Sequence, residues 1–463
     1  MSITATLSLA AEALKAQQVA LQTTGHNIAN SATPGFSRQR VQFVSETPAF
    51  EGGMLVGQGV NVAAITRIVD RFAEAELLGL HGNVGYSEPQ NRALAAIQEA
   101  FPLSGGVAGA LGEFFAAWSD LANHPAGTAE RVAVVAKARA LGESLAQTRE
   151  VLISSQLDLD QEVTAAAARI NILAAQIAEL NARVTASEAG GQTANDLRDQ
   201  RQTLLQELIG LTGATAREEA DGQITVEASG LLLVGGARYA SLDTSAATSN
   251  GFRAVSYRSP EGTSFDATAI LSGGTIGSLI DARDVGVQDV IDRLDSFAQA
   301  LVEQINTQHA LGYDLTGASG GDFFEPLGTL PGAAASVRVS VGVAADPRLI
   351  AAAEDPAAVP GDNRNALAML GLRDSTLPAL GGLTLEDHFF SLVGDVGARA
   401  EAAQARLEFQ QTLLARAQER RESVSGVNID EEMTKLIQFQ RAFEAASVLL
   451  RTADEMYEVL IKL

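Results

Sequence analysis

"GHNIANSATPGFSRQRV", residues 25–41, decides how this chain is read. An apolar, helix-like run leads into it and an alternating run leaves it. Between them the stretch becomes polar and turns on Thr33-Pro34-Gly35. It holds His26, one of only five histidines, beside Asn27 and Asn30. It suits either a chemical site with His26 as base or a structural joint, and the residues favour the joint. No nucleophile of the usual kind lies beside His26. Asn27 and Asn30 suit a helix end, where asparagine tolerates left-handed backbone and closes off backbone groups. Thr33 precedes a proline and is pushed extended. Pro34-Gly35 suits the centre of a type II turn, with Phe36 leading out.

Upstream of the turn, Ile3, Leu7, Ala10, Leu14, Gln17, Leu21, Thr24 and Ile28 follow a 3-4 spacing, a coiled-coil-like stripe on one helix about 40 Å long. The far end of the chain mirrors it. Leu436, Phe439, Phe443, Ala446, Leu450, Ala453, Tyr457 and Leu460 keep one heptad register. Asn428 or Asp430 caps that helix, with Glu431 and Glu432 in a first turn whose dipole favours acids. Two such helices, one from each end, are expected to pair and still leave apolar surface that marks an interaction site. Such ends are also candidates for folding on assembly. The plainer alternative is that they pack on the chain's own middle.

Residues 36–68 read as short strands and turns broken by Gly52, Gly53, Gly57 and Gly59. From Asp70 helices return, and "EFFAAWSDLANHP" is amphipathic. Leu145, Leu152, Leu159, Val163, Ala166, Ile170, Leu173, Ile177, Leu180 and Val184 hold one register, interrupted by Arg149 and Gln156. Gly190-Gly191 ends it, and Leu197, Leu204, Leu208 and Leu211 mark an antiparallel partner helix. The composition turns β-rich near residue 213, with Asp221-Gly222 as a hairpin turn and "FRAVSYRS" and "ATAIL" as short strands. Helix resumes at 277–309. Val337, Val339, Val341 and Val343 alternate as a half-buried strand. Val393, Val396, Ala400, Ala403, Leu407, Leu414 and Val424 mark a further helix before Gly426.

The expected fold is mainly α with a β-rich insertion, an α+β chain in nested layers. Residues 1–35 and 427–463 form an inner core of terminal coiled-coil-like helices. Residues 36–213 and 276–426 form a helical-bundle middle domain with short hairpins. Residues 214–275 form a small outer β domain.

Composition excludes several function classes. The chain has 463 residues and a net charge of −23, so it repels phosphate backbones and no nucleic-acid partner is expected. It has no cysteine, hence no disulfide or thiol nucleophile. No run approaches the ~20 apolar residues of a membrane span, so no membrane insertion is expected. No secretory signal opens it, which on these grounds alone reads as cytoplasmic. Histidines 26, 81, 124, 309 and 388 are scattered, without metal-binding spacing, and no nucleotide-loop or serine-hydrolase pattern occurs. Asp322 with Glu325, and the acidic run 430–432, are read as a solvated loop and a helix start rather than ligand sets. No catalytic residue, cofactor or metal is expected.

At this point the residues resemble a known family. The "NIAN…TPGFSRQ" core is similar to the N-terminal signature of bacterial axial flagellar proteins, the rod, hook and hook-associated group. The fuller "TTGHNIAN…TPGFSRQRV" resembles the hook-associated protein 1, or FlgK, family. So do "SGVNIDEEMTKLIQFQRAFEAASVLLRTADEMYEVLIKL" at the far end, "NDLRDQRQTLLQEL" at 195–208, "INTQHALGYDLTGASGGDFF" at 305–324 and "DNRNALAML" at 362–370. Stretch 214–275 carries no such signature and is short, so a reduced outer domain is expected. The resemblance implies a structural, non-enzymatic subunit joining the flagellar hook to the filament. It implies a helical homo-oligomer in which Ile3, Leu7, Leu14, Leu21, Ile28, Leu436, Phe439, Phe443, Leu450, Tyr457 and Leu460 lie between subunits. It also implies contacts with hook protein and a second hook-associated junction protein, and an export chaperone on the last helix. Export by the flagellar type III apparatus without a cleaved signal places the chain outside the cell and replaces the cytoplasmic reading. The alternatives are another hook or rod protein of the group, or an enzyme using His26.

Overall fold

The computed structural model describes residues 3–51, 54–102, 105–328 and 331–461. The breakers Gly52 and Gly53 lie outside them.

Helix α1 (Ile3–Ala29) opens the chain and ends at the quoted turn. Strands β1 (Gln39–Ser45) and β4 (Val60–Arg67) then pair antiparallel, with a bulge between Gln42 and Phe43. A small hairpin, β2 (Ala49–Glu51) and β3 (Met54–Val56), projects from their far end. Helix α2 (Arg71–Glu99) starts at the position where the sequence has helix return, and Asp70 caps it by accepting hydrogen bonds from the Phe72 and Ala73 amides.

Helix α3 (Gly106–Asn123) and helix α4 (Thr128–Glu188) build the core. Phe114 and Trp118 of α3 pack with Phe323 and Phe324, all four completely buried. Helix α4 has 61 residues, about 90 Å at 1.5 Å per residue. It contains a stretch long and apolar enough to cross a membrane, and half of that stretch is buried against other elements. Its register carries Leu145, Leu152, Val163, Ile170, Leu173, Ile177 and Val184 into the core, as their spacing predicts. The two interruptions have partners. Arg149 pairs with buried Asp295 at 3.1 Å. Gln156 donates to the Arg283 carbonyl at 2.9 Å, inside a π-helical turn over residues 282–287.

After Gly190-Gly191, helix α5 (Asn195–Thr212) packs back on α4. Glu188 fastens the turn, accepting from the Ala194 amide and from Arg198. Helix α2 crosses α5 where Gly85 meets Gly210. A Cβ on Gly85 would stand 1.9 Å from the Gly210 carbonyl oxygen, so only glycine permits this approach.

The β-rich part follows. Strands β5 (Thr215–Glu218), β6 (Ile224–Ala228), β7 (Leu231–Gly235) and β8 (Arg238–Tyr239) form one antiparallel sheet in chain order. Gly222 takes φ +80° in the first hairpin. Strands β9 (Ser241–Asp243), β10 (Ser256–Arg258) and β11 (Ser264–Asp266) form another, in the order β11-β10-β9. Buried Asn181 of α4 fastens the first sheet, donating to the Ile224 and Gly236 carbonyls and accepting from Arg201 and the Ile224 amide. "ATAIL" is not a strand. Asp266 accepts from the amide and hydroxyl of Thr268, and that local bonding turns the chain after β11.

Helix α6 (Gly274–Asp281) runs through the π turn into α7 (Gln288–Ala310). Val337, Val339, Val341 and Val343 do not form the expected strand. They span the end of the short helix α8 (Ala333–Ser336), one bridge from Val339 to Phe324, and the short helix α9 (Val341–Ala345). Val337, Val339 and Val343 are buried while Val341 is 77% exposed. With an extended link entering a helix, the alternation was a coincidence of two local periods. The Glu325 carboxylate accepts the Val341 amide at the start of α9. Helix α10 (Arg364–Gly371) precedes α11 (Leu385–Ser425), which lies along α2, and α12 (Ile429–Ile461), which lies along α1. The fold is mainly α with small antiparallel sheets.

Candidate functional site: the joint between the chain's ends

The quoted turn forms as its residue types require. The Phe36 amide donates to the Thr33 carbonyl at 3.2 Å, with Gly35 at φ +80° inside the turn. Asn30 donates to the His26 carbonyl at 3.0 Å and accepts from the Thr33 hydroxyl, closing the end of α1.

Asn27 does more than close backbone. It is buried, exchanges two hydrogen bonds with the Gln39 backbone at 2.9 and 3.0 Å, and donates to the Glu432 carboxylate at 2.9 Å. Glu432 is not merely a dipole-favoured acid at a helix start. It is 1% exposed and also accepts from Arg38 at 2.8 Å, while Arg38 reaches Glu431 at 2.8 Å. Burial pushes the Glu432 carboxyl up, but the bonds from Asn27, Arg38 and Lys435 outweigh it and hold it below the usual range. Burial likewise works against the Arg38 charge, and Glu431 with Glu432 more than restores it. Asn428 caps α12 through the Asp430 and Glu431 amides.

Three arginines fasten this joint, each to an acid on a different helix. Arg38 reaches α12, Arg67 pairs with Asp199 of α5 at 2.7 Å, and Arg421 pairs with Glu74 of α2 at 3.0 Å. Arg421 also donates to the Gly35 carbonyl at 3.0 Å, and Asp199 accepts the Ser37 amide at 2.9 Å. Three of the stretches singled out in the sequence, 25–41, 195–208 and 425–433, therefore converge here.

His26 lies 3.3 Å from Asp196, and its ring edge meets Phe36 at 5.4 Å. They line an open cleft of about 640 Å³ with Glu179, Arg183 and Thr203. Of the acids there, Asp196 accepts from Gln39, and Asp199 accepts from Arg67 and the Ser37 amide. Among the described residues no group of three histidines and acids is placed to hold a metal ion.

The stripe residues lie on the two paired helices. Leu7, Leu14, Leu21 and Ile28 of α1 are half-buried, as are Leu436, Phe439, Phe443 and Leu450 of α12. Tyr457 is exposed, and the side chains of Ile3 and Leu460 lie outside the described residues. The buried seam is made of smaller side chains: Ala10, Ala16, Ala20 and Thr23 on α1, Ala446 and Ala453 on α12. A second face of α12, with Met433, Ile437, Val448, Met456 and Val459, stands exposed.

Sequence reasoning missed Arg38, Arg67, Arg421, Asp199 and the bridging part of Glu432. Arg38, Asp199 and Glu432 stood inside stretches already singled out while Arg67 and Arg421 stood outside them, and nothing local says which acid meets which arginine.

The chain is similar to known proteins. The sequence profile of the flagellar hook-associated protein FlgK helical domain matches residues 95–324. A flagella basal body rod protein profile matches 7–36, and the flagellar basal body rod FlgEFG protein C-terminal profile matches 418–463. The chain is 28% identical to flagellar hook-associated protein 1 of Bacillus subtilis, covering 98% of this chain and 97% of that one. It is 24% identical to the Salmonella typhimurium protein of the same name, over 97% and 98%. The solved flagellar hook junction protein FlgK from Burkholderia pseudomallei shares the fold, with a TM-score of 0.68 at 16% identity, over 76% of this chain and all of that one. The chain belongs to the flagellar hook-associated protein 1 (FlgK) family.

Proposed function

We propose that this chain is a structural subunit that joins the flagellar hook to the filament and does no catalysis. One observation carries the reading beyond family membership. Helices from opposite ends of the chain lie side by side, and α12 keeps an exposed apolar face. A tube of identical subunits uses heterologous contacts that repeat helically, and such faces fit that need. At about 25 cal/mol per Å², a contact of roughly 300 Å² contributes about 7 kcal/mol, much of it offset by ordering of the helices.

On this reading α1 and α12, within 1–35 and 427–463, form the inner layer of the assembly. Residues 36–213 and 276–426 form the next layer, and 214–275 face outward. Leu7, Leu14, Leu21, Ile28, Leu436, Phe439, Phe443, Leu450 and Tyr457 serve contacts between neighbours, flanking the alanine seam. Hook protein and a second hook-associated junction protein are the axial neighbours. An export chaperone holds α12 before assembly, and type III export delivers the chain without a cleaved signal.

A strain lacking the chain should build hooks, release unassembled flagellin and carry no filaments. Normal filaments in that strain would overturn the reading.

A further inference from the structure

One carboxylate bonds to the end of the first helix and to the chain just ahead of β1. Glu432, in the first turn of α12, accepts from Asn27 on the last turns of α1 and from Arg38 just ahead of β1. Lys435, on its own helix, approaches at 3.2 Å. Asn27 in turn binds the Gln39 backbone in both directions. The chain beside this cluster is non-helical on both sides, at residues 31–36 and at Gly426-Val427. The rest of the α1–α12 seam is largely alanine, whose burial contributes less than that of larger apolar side chains.

We propose that Glu432 is a latch that makes α1 and α12 dock on the body as one unit, so that neither holds its place at the joint without the other. The physical basis is reciprocal. A buried carboxylate deprived of its donors is strongly unfavourable, so loss of Asn27 or Arg38 drives Glu432, and the first turn of α12, into water. Loss of Glu432 leaves the buried Asn27 amide and Arg38 short of an acceptor, which loosens the end of α1. Any coupling of this kind acts equally in both directions.

Hydrogen exchange on the full-length free chain at neutral pH tests it, with Glu432→Gln, Arg38→Gln and the two combined. Each single variant should raise exchange about tenfold or more both at residues 24–29 and at 429–436, with α4 and α7 unchanged. The combined variant should add little to the stronger single, since both break one latch. Loosening of α12 alone, effects that multiply in the combination, or rapid exchange of both segments in the native chain would overturn the proposal. Should Glu432→Gln unfold the whole chain, Arg38→Gln alone decides by the same comparison. Loss of α4 protection in both variants would overturn it, because the cluster would then belong to the common core. The latch concerns a single chain, so its failure leaves the junction reading standing, and filaments in a deletion strain leave the latch standing.

Discussion

The amide of Asn27 donates to the carboxylate of Glu432 across 2.9 Å, although 405 positions separate them in the chain. Both are 1% exposed. That contact ties the end of the first helix to the start of the last.

Replacing Asn27 by alanine orphans the Gln39 amide and one Glu432 oxygen together. An unsatisfied buried polar group costs about 1–3 kcal/mol, so Asn27→Ala should destabilise the joint by roughly that amount for each. Asn27→Asp, which sets one carboxylate against another, should be worse than alanine. Thermal or urea melts of the two variants check the order. An aspartate as stable as asparagine would contradict the contact.

Gly35 sets the exit angle of the turn at φ +80°, and a Cβ there would stand 2.4 Å from the Thr203 hydroxyl. Gly35→Ala therefore combines backbone strain of about 1–2 kcal/mol with a clash. Adding Thr203→Ala should recover the clash and leave the strain. Strictly additive losses in a double-mutant cycle would show that the two do not meet.

Acid should weaken the body through histidines held below their ordinary pKa. His309 is fully buried; its Nδ1 donates to the Gly321 carbonyl at 2.6 Å and its Nε2 accepts the Ala351 amide at 2.9 Å. Burial holds its pKa below the ordinary value, and burial does the same at His81 and His388. A histidine depressed in the folded state contributes its full stability above the unfolded value of about 6.5 and loses it as pH falls below that. Urea midpoints at pH 7.5, 6.5 and 5.5 should fall in the native chain. His309→Gln should be less stable at pH 7.5 and fall less steeply between 6.5 and 5.5. An equal slope would place the effect elsewhere.

How much of this was legible depends on the range of the interaction. The type II turn at Pro34-Gly35, the return of helix from Asp70, the register of α4 and the hairpin at Asp221-Gly222 are local, set by residues within a few positions, and they read directly. The four valines at 337–343 failed because two short elements of different period met and imitated a strand. In the terminal helices, periodicity found which residues share a face, but not that alanine and threonine fill the seam while leucines flank it. Glu432 read as a dipole-favoured acid because its partners, Asn27 and Arg38, come from the other end of the chain. The arginine–acid pairs at the joint are tertiary choices among many charges, and only the fold selects them.

Imaging the hook–filament boundary with and without the chain tests the central claim most directly. The account predicts a layer of this subunit between hook and filament in the native structure, and bare hooks ending without filament when the chain is missing. A boundary that looks the same in both, with filament attached, would contradict it.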